Sequence, residues 1–360
     1  MNCPVIPQLK YADYNQEIYN KIIDNKVLFG CMFELTYRCN LNCRHCNCNL
    51  MLNDKAAALK ELSFDEIKRV LDELSVAGCL WLTFTGGEIF IREDFWDIYT
   101  YAKNKGFLID LFTNGTLITD RLVDKLLKLP PFDVEISLYG MTETVHEQMT
   151  QLPGSFKMTL AAIKLLHKNK LPLTLKSTFT ILNKEELLGL KAFAKELGVR
   201  YRYDFNLVPR LDGSLKPCKL NLSSEESIDL LKKDGEKIES FRKDFQKCLD
   251  EELKIKISCD AGVNGCNINP FGEVTPCAML LEPSFNVRDT SLAKGLPLFW
   301  PAKEKLPDDF PCKYCDIVMI CEHCYGWASI LHNNKYAVVE RLCNTARLLA
   351  QECRSNMTVV

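Results

Sequence analysis

The sequence predicts an α/β fold, a partial (β/α)6 barrel of parallel strands followed by a smaller cysteine-rich unit. Three features point there. Between residues 31 and 206, apolar runs of strand length alternate with amphipathic stretches of helix length, the pattern of a parallel α/β layer. Six such repeats are too few to close an eightfold barrel, so the sheet is expected to stay open on one side, leaving room for a large substrate. Cysteines then crowd the last hundred residues, where the alternation has stopped.

Each element follows from its local pattern. The apolar run Cys31 to Leu35 makes a first strand. The stretch Ser63-Phe-Asp-Glu-Ile-Lys-Arg-Val-Leu-Asp-Glu-Leu is an amphipathic helix with Ser63 as its cap and Glu66 in the capping-box position. Strands at Leu80 to Phe84, Phe107 to Phe112 and Asp133 to Leu138 alternate with helices at Arg92 to Lys105, Thr119 to Leu127 and Phe156 to Lys168. Leu173 to Ile181, the helix Lys184 to Leu197 and the strand Arg200 to Asn206 complete the series. Residues 221 to 252, rich in Glu, Lys and Asp with apolar positions at helical spacing, read as a solvated helical bridge. The division expected is an N-terminal extension (1–30), a TIM-like partial barrel (31–215), a helical bridge (216–255) and a cysteine-rich domain with a C-terminal helix (256–360).

Composition narrows the function. With 360 residues, 47% hydrophobic and 26% charged, the chain has material for one large core and a smaller second unit. A net charge of -2 without a long basic run argues against nucleic acid as an obligatory partner. No apolar run reaches the ~18 residues of a membrane span, and Met1-Asn-Cys-Pro-Val-Ile-Pro lacks a basic region followed by an apolar stretch. The expected location is the cytoplasm. There 18 cysteines read better as metal ligands than as disulfides, because the cytosol keeps thiols reduced.

Cys39, Cys43 and Cys46 stand in a C-x3-C-x2-C spacing that holds an iron-sulfur cube by three of its four irons. An electron-carrying cube takes four thiolates, so three imply a distant fourth ligand or a non-protein one. Zinc also favours closely spaced thiolates, and Cys48 or His45 could serve as its fourth ligand. Zinc gives no reason, however, for Phe84-Thr85-Gly86-Gly87-Glu88 one strand later.

Together these residues resemble the radical SAM superfamily. Phe33-Glu-Leu-Thr-Tyr-Arg-Cys39-Asn-Leu-Asn-Cys43-Arg-His45-Cys46 looks like its first strand running into the cluster loop, including the ring residue before the third cysteine. Thr85-Gly86-Gly87-Glu88 is similar to the motif whose backbone carbonyls and carboxylate hold the methionine ammonium. Leu111-Phe-Thr-Asn114-Gly-Thr and Glu135-Ile-Ser137-Leu-Tyr-Gly140 resemble the strand ends around the bound nucleoside. The resemblance implies that Cys39, Cys43 and Cys46 ligate a [4Fe-4S] cluster and that S-adenosyl-L-methionine completes it. His45, Thr85, Gly86, Gly87, Glu88, Asn114 and Ser137 would surround that cofactor. Many relatives place an arginine for the methionine carboxylate after the fourth strand; here His146-Glu-Gln-Met-Thr150 has none, and Lys176 takes the role or snorkels outward. Reductive cleavage would need a low-potential donor such as flavodoxin or ferredoxin.

Gly272-x4-Cys277, then Cys312-x2-Cys315-x5-Cys321-x2-Cys324 and a later Cys343, resemble the SPASM domain of peptide- and protein-modifying relatives. One gap is a residue shorter than usual. The resemblance implies two auxiliary [4Fe-4S] clusters, three in all, with Cys259, Cys266, Cys277 and Cys324 on one and Cys312, Cys315, Cys321 and Cys343 on the other. C-x2-C pairs are also ordinary zinc knuckles. Of the remaining cysteines Cys3, Cys31, Cys48, Cys79, Cys218, Cys248 and Cys353, most read as packing residues, while Cys48 and Cys218 lie where a hydrogen-atom donor could stand. Arg202, Asp204 and Asn206 alternate onto one face of the sixth strand, with Arg210 beyond; they contact substrate if that face lines the open mouth and form ion pairs if it meets helices.

The implied activity is oxidoreductive maturation of a ribosomally made peptide or protein by crosslinking, oxidation or epimerisation. A small molecule or tetrapyrrole is the alternative substrate. Formylglycine formation, as in sulfatase maturation, loses its expected base, since Ala278 stands where those enzymes carry aspartate. A zinc-bearing scaffold without activity is the non-enzyme alternative. Residues 1–30 are too few for the leader-recognition module of many maturases, so a separate recognition protein or the barrel mouth would read a leader.

Overall fold

The computed structural model describes residues 20–48, 50–250, 259, 261–300 and 306–355. Six parallel strands follow in chain order: β1 (Gly30–Thr36), β2 (Trp81–Gly86), β3 (Leu108–Thr113), β4 (Asp133–Ser137), β5 (Leu173–Thr178) and β6 (Arg200–Asp204). Their period-two pattern separates two faces. Phe33, Leu35, Leu82, Phe84, Ile109, Leu111, Val134 and Ile136 are buried in the core beneath the helices. Glu34, Thr85, Phe112, Glu135, Ser137, Lys176 and Arg202 alternate with them and face the barrel interior.

The helices form where the periodicity places them. Phe64–Val76 carries the expected capping box, with Ser63 and Glu66 satisfying each other's backbone N–H groups, and it buries Ile67, Val70, Leu71 and Leu74. Phe95–Asn104, Asp120–Lys128, Ser155–Lys168 and Leu187–Leu197 complete the outer layer. A further helix, Glu143–Thr150, lies between β4 and the helix Ser155–Lys168. Thr142 caps it by accepting from Val145 N.

The C-terminal region departs from the expected division. Strands β7 (Gly265–Ile268), β8 (Glu273–Thr275) and β9 (Phe285–Asn286) extend the barrel sheet itself, in the order β9-β8-β7-β1-β2-β3-β4-β5-β6. β7 pairs parallel with β1, and β8 runs antiparallel to both β7 and β9. The cause is the open barrel: β1 has an unpaired edge, and β7 satisfies its backbone groups. The proposed bridge is also not simply solvated. Helices Ser224–Lys233 and Gly235–Asp250 bury Ile228, Leu231, Ile238 and Phe245 against Ile317, Ile320, Ala346 and Leu349 in a second core. The last two belong to the C-terminal helix Glu340–Ser355. At the other barrel edge, Asn206 Nδ2 donates to Glu322 Oε2 at 2.6 Å, so the C-terminal region touches the barrel on both sides. Among the described residues no helix is long and apolar enough to cross a membrane.

Candidate active site

The chain leaves β1 at Thr36 and reaches Cys39 in a two-residue strand, Arg38–Cys39, paired with Leu50–Met51. The loop after Cys39 is braced by the end of the helix Glu143–Thr150, whose last carbonyls lack partners within the helix. Asn42 N donates to Thr150 O (3.1 Å) and Arg44 N to Met149 O (3.0 Å), while Arg210 Nη1 donates to Cys46 O at 3.3 Å. Cys39, Cys43 and Cys46 thereby line one cavity of about 300 Å³ at the carboxyl ends of the strands. Cys39 Sγ accepts from Leu41 N (3.4 Å) and Asn114 Nδ2 (3.7 Å), donors suited to a thiolate. Burial pushes the Cys39 thiol up to about 12 and Cys43 well above the usual thiol range. Bare thiols there stay neutral; iron supplies the positive charge that makes three buried thiolates favourable. Three thiols lining one cavity, one of them backed by two amide donors, are a donor set that suits an iron-sulfur cube.

The facing wall is Thr85, Gly86 and Gly87, which line the same cavity. Gly87 N donates to Thr36 O at 2.6 Å and Glu88 N to Arg38 O at 3.0 Å, docking this turn on the segment that leads to Cys39. A Cβ on Gly87 would stand 2.2 Å from Arg38 O, and one on Gly86, with φ +132°, 2.1 Å from Thr36 O. Only glycine allows the approach.

Glu88 is corrected by the structure. It does not line the cavity; it is fully buried and accepts from Thr113 Oγ1 (2.9 Å), Asn114 N (2.8 Å) and Phe90 N (3.2 Å). Its carboxylate is occupied in fixing the end of β3 beside the cavity. Burial pushes its pKa up to about 7, against the lowering effect of those hydrogen bonds.

Asn114, Ser137, His45 and Lys176 do line the cavity, as expected from the sequence. So do Tyr139, Phe112, Thr178, Leu207, Val208 and Cys48, which the motifs did not single out as cofactor contacts. The His45 ring meets Tyr139 edge-on, centroids 4.6 Å apart, and burial lowers its pKa to about 4, so the imidazole is neutral. Its Nδ1 is buried without a partner among the described residues. Lys176 Nζ lies 3.7 Å from the Phe112 ring centre and 4.0 Å from Glu135 Oε2. Burial lowers its pKa to about 8; Glu135 opposes that shift and Arg202 adds to it.

The sixth-strand residues divide. Asn206 lines the cofactor cavity. Arg202 forms an ion pair with Glu135, and Asp204 faces a separate cavity beside the second core. Arg210 donates to Cys46 O and so braces the cluster loop. Of the two thiols considered as hydrogen-atom donors, Cys48 is in the cavity, whereas Cys218 points to Leu207 O at 3.5 Å.

In the C-terminal region Cys312, Cys315, Cys321 and Cys343 line one small apolar cavity with Ile317, Val318 and Leu342. Cys277 Sγ accepts from Leu280 N (3.2 Å) and Met279 N (3.4 Å), Cys324 Sγ accepts from Trp327 N (3.3 Å), and the two thiols interact electrostatically. Cys266 is not with them. It stands opposite Cys31 in the β1–β7 register, 5% exposed, its side chain hydrogen-bonded with that of Cys31 and close to Cys79. Strand parity explains the separation. Cys266, Ile268 and Val274 share the core face, while Asn267 points the other way and donates Nδ2 to Glu34 Oε2 at 3.1 Å. The sequence-based quartet therefore loses Cys266, leaving Cys259, Cys277 and Cys324.

Residues 33–195 match the model of the radical SAM superfamily. An AdoMet-dependent heme synthase of Methanosarcina barkeri is 27% identical over 315 residues, covering 81% of this chain and 89% of that protein. The antilisterial bacteriocin subtilosin biosynthesis protein AlbA of Bacillus subtilis is 30% identical over 249 residues, 69% of this chain and 54% of AlbA. The fold is similar to that of Streptococcus suis SuiB bound to its precursor peptide SuiA, with a TM-score of 0.70, 15% identity, and 95% of this chain and 83% of SuiB covered. The three-cysteine loop, the diglycine wall and these matches together place the chain in the radical SAM superfamily as an enzyme that uses a [4Fe-4S] cluster and S-adenosylmethionine.

Proposed function

We propose that this enzyme modifies a ribosomally made peptide or protein by crosslinking, oxidation or epimerisation. Cys39, Cys43 and Cys46 would hold the [4Fe-4S] cluster, which would supply the electron for reductive cleavage of S-adenosylmethionine and so the means to abstract a hydrogen atom from the substrate. The chain's own residues then have defined tasks. Gly86 and Gly87 present backbone to the methionine end, Lys176 pairs with its carboxylate, and Ser137 and Asn114 contact the nucleoside. Tyr139 and neutral His45 exclude water from the reacting centre.

The observation that carries the peptide reading is that Asn206, Leu207 and Val208 line the cavity while Asn206 bonds Glu322 and Val208 packs against the cluster of Trp327 and Leu342, joining the cavity to the cysteine-rich region. An extended substrate could lie there between the cofactor and the auxiliary sites. Likeness to AlbA supports it. In this reading Cys312, Cys315, Cys321 and Cys343 hold one auxiliary cluster in a SPASM-type domain, and Cys259, Cys277 and Cys324 hold another. A low-potential flavodoxin or ferredoxin delivers electrons in the cytoplasm, and a separate protein or the barrel mouth reads the leader. The heme synthase likeness specifically favours a second reading, a tetrapyrrole substrate.

The test is the intact mass of a short peptide encoded beside this gene after anaerobic co-expression, with Cys43→Ala as control. A loss of about two mass units per event, absent in the control, supports oxidative peptide modification. An unchanged mass, even after growth in heavy water to reveal epimerisation, refutes the peptide reading and favours the tetrapyrrole.

A further inference from the structure

A buried carboxylate outside every recognised motif holds the segment that joins the cluster loop to the diglycine wall. Glu61 follows the short helix Lys55–Lys60, and its side chain is 5% exposed. Its Oε1 accepts from Thr36 Oγ1 at 2.5 Å and from Arg38 Nε at 3.0 Å, and its Oε2 accepts from Arg38 Nη2 at 2.9 Å. Arg92 Nη1 lies 3.5 Å from the same Oε2. Arg92 is itself buried and donates to Leu35 O and Leu62 O, both at 3.0 Å. Thr36 Oγ1 in turn accepts from Arg38 N at 3.0 Å.

These contacts fix Leu35, Thr36 and Arg38 from one side. From the other, Thr36 O and Arg38 O receive the N–H groups of Gly87 and Glu88. One residue further on is Cys39. The same short piece of backbone therefore sets both the first cluster cysteine and the glycines that face the methionine, and Glu61 is the anion about which it is built.

We propose that Glu61 is a positioning residue for S-adenosylmethionine binding, acting through Thr36 and Arg38 without touching the cofactor. The inference rests on the reading of the cavity as the S-adenosylmethionine site. Removing the charge leaves the largely buried Arg38 guanidinium without its carboxylate partner, while Arg92 keeps its pair with Asp94 at 2.8 and 2.9 Å. Arg38 then loses its fork-to-carboxylate geometry, and the backbone it fixes is free to move by the fraction of an ångström that a bound cofactor does not tolerate.

The experiment uses the full chain with its clusters assembled anaerobically. It measures the Kd for S-adenosylmethionine from the change in the reduced-cluster EPR signal, with iron content and Tm recorded for each variant. The variants are Glu61→Gln, Glu61→Asp, Arg38→Met and the double variant Arg38→Met/Glu61→Gln. Lys191→Met, which breaks a pair with Asp234 outside the cavity lining, serves as a destabilised control. The expected result is a Kd raised at least tenfold in Glu61→Gln with iron content retained. Glu61→Asp should recover part of that loss, and the double variant should lose less than the product of the two single effects, because the unpaired arginine is gone. Lys191→Met should lower Tm and leave Kd alone.

A wild-type Kd in Glu61→Gln, with Tm lowered as in the control, would overturn the proposal and make Glu61 only a stabilising residue. If Glu61→Gln does not fold, the Kd values of Glu61→Asp and Arg38→Met decide in the same way. Absence of any S-adenosylmethionine effect in the wild type would instead overturn the reading of the cavity.

Discussion

Lys176 offers a pH-dependent test of how the cofactor is held. Its ammonium sits in the cavity over Phe112, and burial lowers its pKa to about 8. If the charged form pairs with the methionine carboxylate, affinity follows the protonated fraction of the free enzyme. That fraction falls from about nine-tenths at pH 7 to about one-tenth at pH 9, so Kd should rise about tenfold across this range. At pH 7, Lys176→Met should weaken binding about ten- to a hundredfold, the usual effect of losing a charge-assisted hydrogen bond. The amino group of S-adenosylmethionine titrates in the same region, so the wild-type Kd is compared with that of the variant at each pH. Lys176→Arg keeps its charge and should flatten the dependence. Stability moves the other way. The folded pKa lies below the unfolded value of 10.5, so folding releases a proton between about pH 8 and 10.5, and this residue's contribution to stability improves as pH rises through that window. Equal Kd values for wild type and Lys176→Met at pH 7, with parallel pH profiles, would refute the carboxylate pairing.

Other outcomes follow from the same geometry. Cys266→Ser should keep its full iron content and the spectra of all clusters, whereas Cys321→Ser should lose about four irons per chain by elemental analysis. Glu88→Ala should cost at least about 2 kcal/mol in denaturant unfolding, because it strands the hydroxyl of Thr113 and two backbone N–H groups in the interior. Since Glu88 is raised from 4.5 to about 7, its favourable protonated form contributes fully below the unfolded pKa and is lost as pH rises through about 7. Gly87→Ala should abolish S-adenosylmethionine binding in the same EPR titration, as its Cβ would meet Arg38 O at 2.2 Å and push apart the wall and the cluster loop.

The barrel was legible because its strands and helices announce themselves over short stretches. Alternation from Phe33 to Leu35, the helical spacing of Ile67, Val70, Leu71 and Leu74, and the Ser63–Glu66 box are all local signals. That these residues share one cavity was legible for a related reason, since Cys39, Cys43 and Cys46 lie within one loop and Gly86-Gly87 within one turn. What escaped depends on partners distant in sequence. Pairing of β7 with β1 joins residues more than two hundred positions apart, and only that register shows that Cys266 faces Cys31 and the core. The resemblance to the SPASM domain made Cys266 look like a ligand. Glu88 sits in its expected motif, yet the direction of its carboxylate is decided by Thr113 and Asn114. Glu61 has no motif, because its role comes from meeting Thr36, Arg38 and Arg92 in space.

The most direct test of radical chemistry on a peptide is to follow a deuterium atom. Reduced enzyme is incubated with S-adenosylmethionine and the neighbouring peptide carrying deuterium at its side-chain and Cα positions, and the 5′-deoxyadenosine formed is weighed by mass spectrometry. The account predicts a product about one mass unit heavier with the labelled peptide, no label from a deuterated porphyrin, and no 5′-deoxyadenosine at all from Cys43→Ala. Label arriving from the porphyrin and never from the peptide would contradict it.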